Sequence, residues 1–351
     1  MQILNNRTVK TFLIKGKKSE SKIILGEKLK NINKYLPNKR VIVITDVVVN
    51  KLYGDKFNNF DVIEIGLGEK NKTLQTIENI IEQLLDVKAD RNVFLLGVGG
   101  GIVCDITGFI ASIFMRGVNF GFVSTSLLSQ VDASIGGKNG VNFLGYKNII
   151  GIFNQPKFVI CDVDLLKTLP QNEINCGFGE IVKHSIISGV DFFNFINDNI
   201  TKIKQNNLAV LNKLIELSII IKSKIVNSDE QENGTRKILN FGHTIAHAIE
   251  KQTNLSHGEA VAIGIKFAVD FSFTNGFLSS DETKKIKKLI SNLNLVNFVN
   301  IDKTKLSESL NKDKKKNRNY IDFVFVKSLG NVFYKTIEIK QIQDFINTYN
   351  F

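Results

Sequence analysis

The chain has 351 residues, 43% hydrophobic and 23% charged, with 46 basic against 34 acidic side chains and a formal net charge of +12. That length suffices for two domains of ordinary size, each with its own core, and the composition is that of a soluble globular protein, not of a disordered or fibrous one. The positive charge comes without an arginine-rich arm, a helix-turn-helix pattern or a stacked-aromatic motif, so the expected partner is a small anionic substrate drawn in by long-range steering, not nucleic acid.

Taken in order, the first half alternates short β-rich runs with amphipathic helices. Its start, with Asn5, Asn6 and Arg7 ahead of any long apolar run, lacks the pattern of a signal peptide. Residues 40–45 (RVIVIT) predict a strand buried on both faces, 50–57 a helix and 60–65 a second strand. Over 73–86, Leu74, Ile77, Ile81, Leu84 and Leu85 recur at helical period. Further strands are predicted over 92–98, 120–124 and 158–162. The apolar stretch 93–115 has the length of a membrane span, but Asp105 and three glycines in its middle make it a buried strand, a glycine turn and a buried helix, so no membrane partner is expected. Strands separated by helices predict a Rossmann-like α/β domain with a mostly parallel sheet.

After Pro170 the periodicity turns helical, over 181–196, 208–226 and 260–273, with one apolar/polar alternation at 320–327 that suits an edge strand or a hairpin. The boundary is set at Leu169-Pro170-Gln171, which reads as a helix entry. The expected domains are therefore 1–169, α/β, and 170–351, mainly α-helical, packed closely with the active site in the cleft between them. Cys104, Cys161 and Cys176 are odd in number and contain no CxxC, which fits a reducing cytoplasm better than a disulfide framework or a thiolate metal cage.

The chemistry-bearing residues fall into a few clusters. GGGIVCD (99–105) leads from a strand into a helix, where backbone N–H groups approach phosphate closely and the helix N-terminus adds positive partial charge. Cys104 stands where the third glycine of GxGxxG would be, so a purely structural glycine turn is the alternative. Asp46, just past a strand, is a candidate acceptor for ribose hydroxyls, and Glu69 and Lys72 after the next strand flank the same edge. Lys138 behind Gly136 and Gly137, with Lys147 and Asn148, makes a second anion-friendly patch or a polar loop tipped by a lysine. Glu180 and Lys183, ordinarily a surface ion pair, sit among Phe178, Ile181, Val182, Ile186 and Ile187. Burying them is costly without partners, and a metal is one such partner for Glu180.

Three of the four histidines lie in NFGHTIAH (240–247) and HGE (257–259). His243 and His247 are one helical turn apart, a spacing that grips a transition metal or merely decorates a polar surface, and His257 tips the balance towards a site. Thr244 occupies the place of the catalytic glutamate of HExxH, which disfavours peptide hydrolysis.

In order, GGGIVCD, STSLLSQVDASIGGKNG, LGYKNIIGIFNQP, LKTLP, GFGEIVKH, DEQENGTRKILNFGHTIAHAIE, HGEAVAIG and DKKK resemble the successive motifs of the 3-dehydroquinate synthase family, from about Asp46 to Lys315. The resemblance implies a homodimeric lyase dependent on NAD and on zinc, with cobalt as the other candidate metal. Its reaction would take 3-deoxy-D-arabino-heptulosonate 7-phosphate to 3-dehydroquinate and phosphate, on the shikimate route to chorismate and the aromatic amino acids. The steps implied are transient oxidation by NAD, β-elimination of phosphate, re-reduction and intramolecular aldol closure. By the same resemblance Glu180, His243 and His257 are the metal ligands, and His247 contacts substrate instead.

Asp46, Glu69, Lys72, Gly99, Gly100, Gly101, Asp105, Thr125, Ser126, Lys147 and Thr168 match NAD-contacting positions. Asp132, Lys138, Lys183, Asn240 and His247 match the catalytic group around the substrate. Asn148, Lys222, Arg236 and Lys314 match further substrate contacts, and Arg116 an arginine lent across the dimer interface. The chain departs from the family at Ser126 for threonine, Cys104 for glycine and Asn139-Gly140 for Thr-Ala. It also carries three lysines at 314–316 where two are usual, so which of them enters the site stays open. The alternatives are another sugar-phosphate cyclase and a metal-dependent polyol dehydrogenase. A neutral polyol has no use for so many cations, whereas Arg236 can grip a carboxylate with paired hydrogen bonds.

Overall fold

A computed structural model describes residues 9–16, 19–296, 300–311 and 319–351. The chain forms two compact units: Met1–Leu169 with Lys222–Gln231, and Pro170–Ile221 with Glu232–Phe351. The segment Lys222–Gln231 thus groups with the first unit, whereas the sequence division at 169/170 assigns it to the second domain.

In the first unit the strands are β1 (Lys10–Lys15), β2 (Glu20–Leu25), β3 (Val41–Asp46), β4 (Asp61–Ile65), β5 (Phe94–Gly99), β6 (Asn119–Ser124), β7 (Lys138–Phe143), β8 (Tyr146–Phe153) and β9 (Phe158–Cys161). The helices are α1 (Val47–Tyr53), α2 (Leu74–Asp86) and α3 (Gly101–Ile113). Seven strands make one sheet in the order β1-β2-β9-β6-β5-β3-β4. Only β1, antiparallel to β2, breaks its parallel pairing. β3 and β5 are buried on both faces, as their unbroken apolar runs require. From β3 the chain steps to β4 on one side and then to β5 on the other. The switch point of the sheet therefore lies between the carboxyl ends of β3 and β5, where open α/β sheets place their ligands.

The sequence expectation has no counterpart to β1, β2 or the β7–β8 hairpin. The hairpin's strands, KNGVNF and YKNIIGIF, are rich in glycine and asparagine, and it is cross-strand pairing, not intrinsic propensity, that makes them extended.

The second unit holds α4 (Gln171–Ser188), α5 (Val190–Asp198), α6 (Ile200–Lys204), most of α7 (Leu208–Ser228), α8 (His243–Glu250), α9 (His257–Thr274), α10 (Ser280–Asn292), α11 (Lys303–Asn311) and α12 (Ile339–Thr348), with a hairpin of β10 (Tyr320–Ser328) and β11 (Asn331–Glu338). Pro170 sits at the N-cap of α4. The single helix expected over 181–196 is two, α4 and α5, broken at Gly189. The alternation at 320–327 is realised as a hairpin. Phe267 and Phe271 of α9 pack against Phe323 and Phe325 of β10 and Phe345 of α12, so α9 is the core helix of this unit. Among the described residues no helix is long and apolar enough to cross a membrane.

Candidate active site

His243 is the first residue of α8, His257 the first of α9, and Glu180 lies midway along α4. Close helix packing brings them together. A side-chain carbon on Gly179 or Gly258 would fall into the backbone of the opposite helix, so α4 and α9 touch main chain to main chain there. Further along α9, Gly264 lies against the backbone of Gly242, which caps α8 with a left-handed φ of +81° that glycine alone adopts without cost. These two notches place the residue after Gly179, the residue before Gly258 and the residue after Gly242 side by side. A capping box, in which Ser256 N–H donates to Glu259 Oε2 at 2.8 Å and Ser256 Oγ accepts from Glu259 N–H, fixes where α9 begins.

Glu180 Oε1 is 3.2 Å from His243 Nε2 and 3.3 Å from His257 Nε2. Lys183, one turn on, is ion-paired to Glu180, and both side chains are buried. The carboxylate oxygen and the two ring nitrogens lie within 4.8 Å of one another. One oxygen and two imidazole donors suit a zinc-like divalent cation and leave a coordination position open. Electrostatics prepare the group. Burial alone would raise the Glu180 carboxyl, but the Lys183 ammonium and the His243 imidazole outweigh it and hold the acid well below its usual range. Burial, joined by the Lys183 charge, lowers His243, so its ring stays neutral as a metal ligand must be. His257 is the exception: burial works against its charge, yet hydrogen bonds to Glu180 and Glu250 push it up to about 9, so metal binding there has to release a proton.

His247 is in no such donor group among the described residues. Its ring packs edge-on to that of His243, with centroids 5.3 Å apart. The one-turn pair that the spacing singles out is therefore not the chelating pair, because α8 points only its first residue at Glu180.

In the first unit the expected cofactor positions gather at the carboxyl ends of the parallel strands. Asp46 ends β3, Gly99 ends β5, and Gly100 caps α3. Thr125 and Ser126 follow β6, with Thr125 N–H donating to Gly99 C=O at 2.9 Å. Thr168 closes the turn after β9 and exchanges a hydrogen bond with Tyr53 Oη. Asp46 Oδ1 accepts the N–H groups of Val48 and Val49, so the proposed ribose acceptor is also the N-cap of α1. Lys72 is buried, ion-paired to Asp105 on α3 and hydrogen-bonded to Asn148 Oδ1. Burial raises the Asp105 carboxyl and the Lys72 ammonium pulls it back. Glu69 Oε1 accepts from Asn142 on β7 at 2.8 Å. Lys138 opens β7 and Lys147 lies on β8, both exposed, so the presumed loop is a β-hairpin.

Lys222 Nζ lies 2.7 Å from Asp132 Oδ1 and donates to the Asp132 carbonyl at 2.6 Å. In the second unit Arg236 is only 2% exposed, in a 3-10 turn that ends at Asn240. Arg116 is exposed and is the middle one of three successive positive-φ residues, with φ +49° at Met115, +68° at Arg116 and +114° at Gly117. Lys314, Lys315 and Lys316 lie outside the described residues. Two acids escape the sequence reading. Glu232, itself at φ +62°, accepts a hydrogen bond from the Asn240 amide, and no local signal announces this. Glu250 reaches His257, and its spacing from His243 by seven residues, two helical turns, is the signal that could have found it.

The fold and the site define a class: an α/β unit with a ligand-binding switch point, joined in one chain to a helical unit carrying a Glu-His-His donor group. A solved 2-deoxy-scyllo-inosose synthase, complexed with carbaglucose-6-phosphate, NAD+ and Co2+, superposes with a TM-score of 0.88 over 97% of this chain and 100% of its own, at 23% identity. A 2-epi-5-epi-valiolone synthase from Streptomyces hygroscopicus subsp. jinggangensis 5008, with NAD+ and Zn2+ bound, gives 0.85 over 97% and 98%, at 21% identity. The fold is thus that of these two synthases. Residues 62–176 match the model of the 3-dehydroquinate synthase N-terminal domain and residues 177–316 that of the C-terminal domain. The 3-dehydroquinate synthase of Pelagibacter ubique (strain HTCC1062) is 41% identical over 334 residues, 89% of this chain and 91% of that protein. The chain belongs to the 3-dehydroquinate synthase family.

Proposed function

We propose that this chain converts 3-deoxy-D-arabino-heptulosonate 7-phosphate to 3-dehydroquinate and phosphate, as the relatives named for that activity do. The observation that carries the reading is the Glu180-His243-His257 group, its carboxylate buried and Lys183 at its side, in a chain that matches both domain models of the family.

Glu180, His243 and His257 would hold a zinc or cobalt ion, and the edge formed by Asp46, Gly99 to Gly101, Asp105, Thr125, Ser126 and Thr168 would hold NAD. The cation would supply Lewis-acid chemistry towards a substrate hydroxyl, and NAD a reversible hydride acceptor. The chain's own residues do the rest. Arg236 grips the carboxylate with a planar fork, while Lys138, Lys222 and one of the lysines at 314–316 act on the doubly anionic substrate as point charges. Asp132, ion-paired to Lys222, keeps that lysine oriented. Lys183 is ion-paired to Glu180, Asn240 and His247 contact the substrate, and Asn148 and Lys72 tie the β7–β8 hairpin to α3 through Asp105.

The working form is a cytoplasmic homodimer in which Arg116 reaches the partner's site. Its backbone strain is the kind that persists where a function demands it. β8 pairs only with β7 among the described residues and leaves Ile149, Ile152 and Phe153 exposed for a second copy to cover.

The test is competition among sugar phosphates with phosphate release as the readout. The heptulosonate phosphate should win over a hexose 6-phosphate, which lacks a carboxylate, and R236K should erode that preference by raising KM for the acid substrate. Preferential turnover of the hexose phosphate would assign the chain to another cyclase activity.

A further inference from the structure

The two imidazoles of the donor group are anchored differently. Both direct Nε2 at Glu180, so in each the Nδ1 side fixes the ring. His243 Nδ1 faces the Phe241 carbonyl at 3.3 Å, a neutral backbone partner, whereas His257 Nδ1 lies 3.0 Å from Glu250 Oε1, a buried carboxylate. Glu250 is the last residue of α8. An acid there is disfavoured twice: burial strips its hydration, and the C-terminal end of a helix carries negative partial charge. Stability alone would not put a buried carboxylate at that place.

The charges give it a use. Lys183 is paired with Glu180, and these two charges cancel. Without another acid, the donor group would meet a divalent cation with no net negative charge. Glu250 supplies one, delivered through the His257 ring. A carboxylate accepting the Nδ1 proton fixes the tautomer that leaves Nε2 as the donor and makes that nitrogen a stronger ligand.

We propose that Glu250 is a positioning residue of the metal centre, orienting His257 and raising the affinity of the Glu180-His243-His257 group for a divalent cation. This rests on the assignment of those three residues as the ligands. The test uses the full chain with zinc alone. Dissociation constants are measured by competition with a chromogenic chelator for the parent chain, E250Q and E250A, and visible spectra are recorded for the cobalt-loaded forms. E250Q keeps the shape and loses the charge; it should weaken zinc about 10-fold and shift the cobalt band, and E250A should weaken zinc up to about 100-fold. An E250Q chain that binds zinc as the parent does, with an unshifted cobalt band, overturns the proposal whether or not E250A folds. A parent chain that takes up no zinc overturns instead the ligand assignment beneath it.

Discussion

Glu180 shows at the scale of one residue why this site needs an occupant. A carboxylate and an ammonium, both buried on one helix, forgo hydration worth several kcal/mol each, and their mutual attraction rarely exceeds that loss. His243 and His247, one turn apart on α8, then separate two roles that sequence spacing merges. His243→Ala should lose zinc and activity together. His247→Ala should keep its zinc through dialysis while its turnover falls, and equal zinc loss in both variants would contradict the assignment. Lys72 is the corresponding residue of the first unit. Lys72→Met removes the partner of the largely buried Asp105 carboxylate. NAD binding, followed by calorimetry, should weaken by about tenfold or more, the equivalent of the 1–3 kcal/mol that such an orphaned group costs. Unchanged NAD affinity would remove this pair from the cofactor site. The metal group is legible from sequence only through the resemblance, because the spacing that points to His247 is blind to where α4 and α9 cross.

At the scale of elements, two glycine contacts along α9 align the donor group. Gly258→Ala should force α4 and α9 apart, lower stability by about 1–3 kcal/mol and weaken zinc binding, since Glu180 and His257 flank the contact. Denaturant unfolding and zinc titration of one sample read both effects. The hairpin braces the turn that carries Arg236 and Asn240: Lys237 Nζ lies 2.7 Å from Asp322 Oδ2 on β10 and over the Tyr334 ring on β11, and Thr336 Oγ1 donates to Asp322 Oδ1 at 2.6 Å. The hydrogen bond from Lys237, then that from Thr336, holds the Asp322 carboxyl below its ordinary value. Its contribution to stability is therefore present above about pH 4 and is lost as pH falls through the lowered value. The pair is partly exposed, so no more than about 1 kcal/mol is at stake. Asp322→Asn should destabilise the chain at pH 7 and cost progressively less as pH falls through the lowered value; a loss that does not shrink with falling pH would contradict this. What the sequence makes legible at this scale is what periodicity can carry. The apolar runs of β3, β5 and β6 announce themselves, because burial dictates their composition; α2 is legible as a helix, but its buried face is Ile77, Ile80 and Leu84, while Leu74 and Leu85 of the expected stripe are exposed. The β7–β8 hairpin does not announce itself, since pairing across it holds residues that favour turns.

At the scale of the whole chain, composition says little beyond a taste for anions, and the charge of +12 acquires meaning only with the burial of Lys183, Lys222 and Arg236. Buried cations are rare unless paired, and Lys183 and Lys222 are each ion-paired within their own unit, to Glu180 and to Asp132. The order of eight motifs makes the family legible from sequence, while the identity of the loaded metal, which depends on supply as well as donors, is not. Chelator treatment should abolish turnover and zinc should restore it, without net unfolding by circular dichroism. The proposed reaction uses NAD as a catalyst, not as a consumed oxidant, together with a cation held by Glu180, His243 and His257. The most direct measurement is phosphate released from the heptulosonate phosphate by zinc-loaded chain with NAD far below substrate. The prediction is many phosphates per NAD with no accumulation of NADH; NADH formed in step with product, or no phosphate at all, would contradict it.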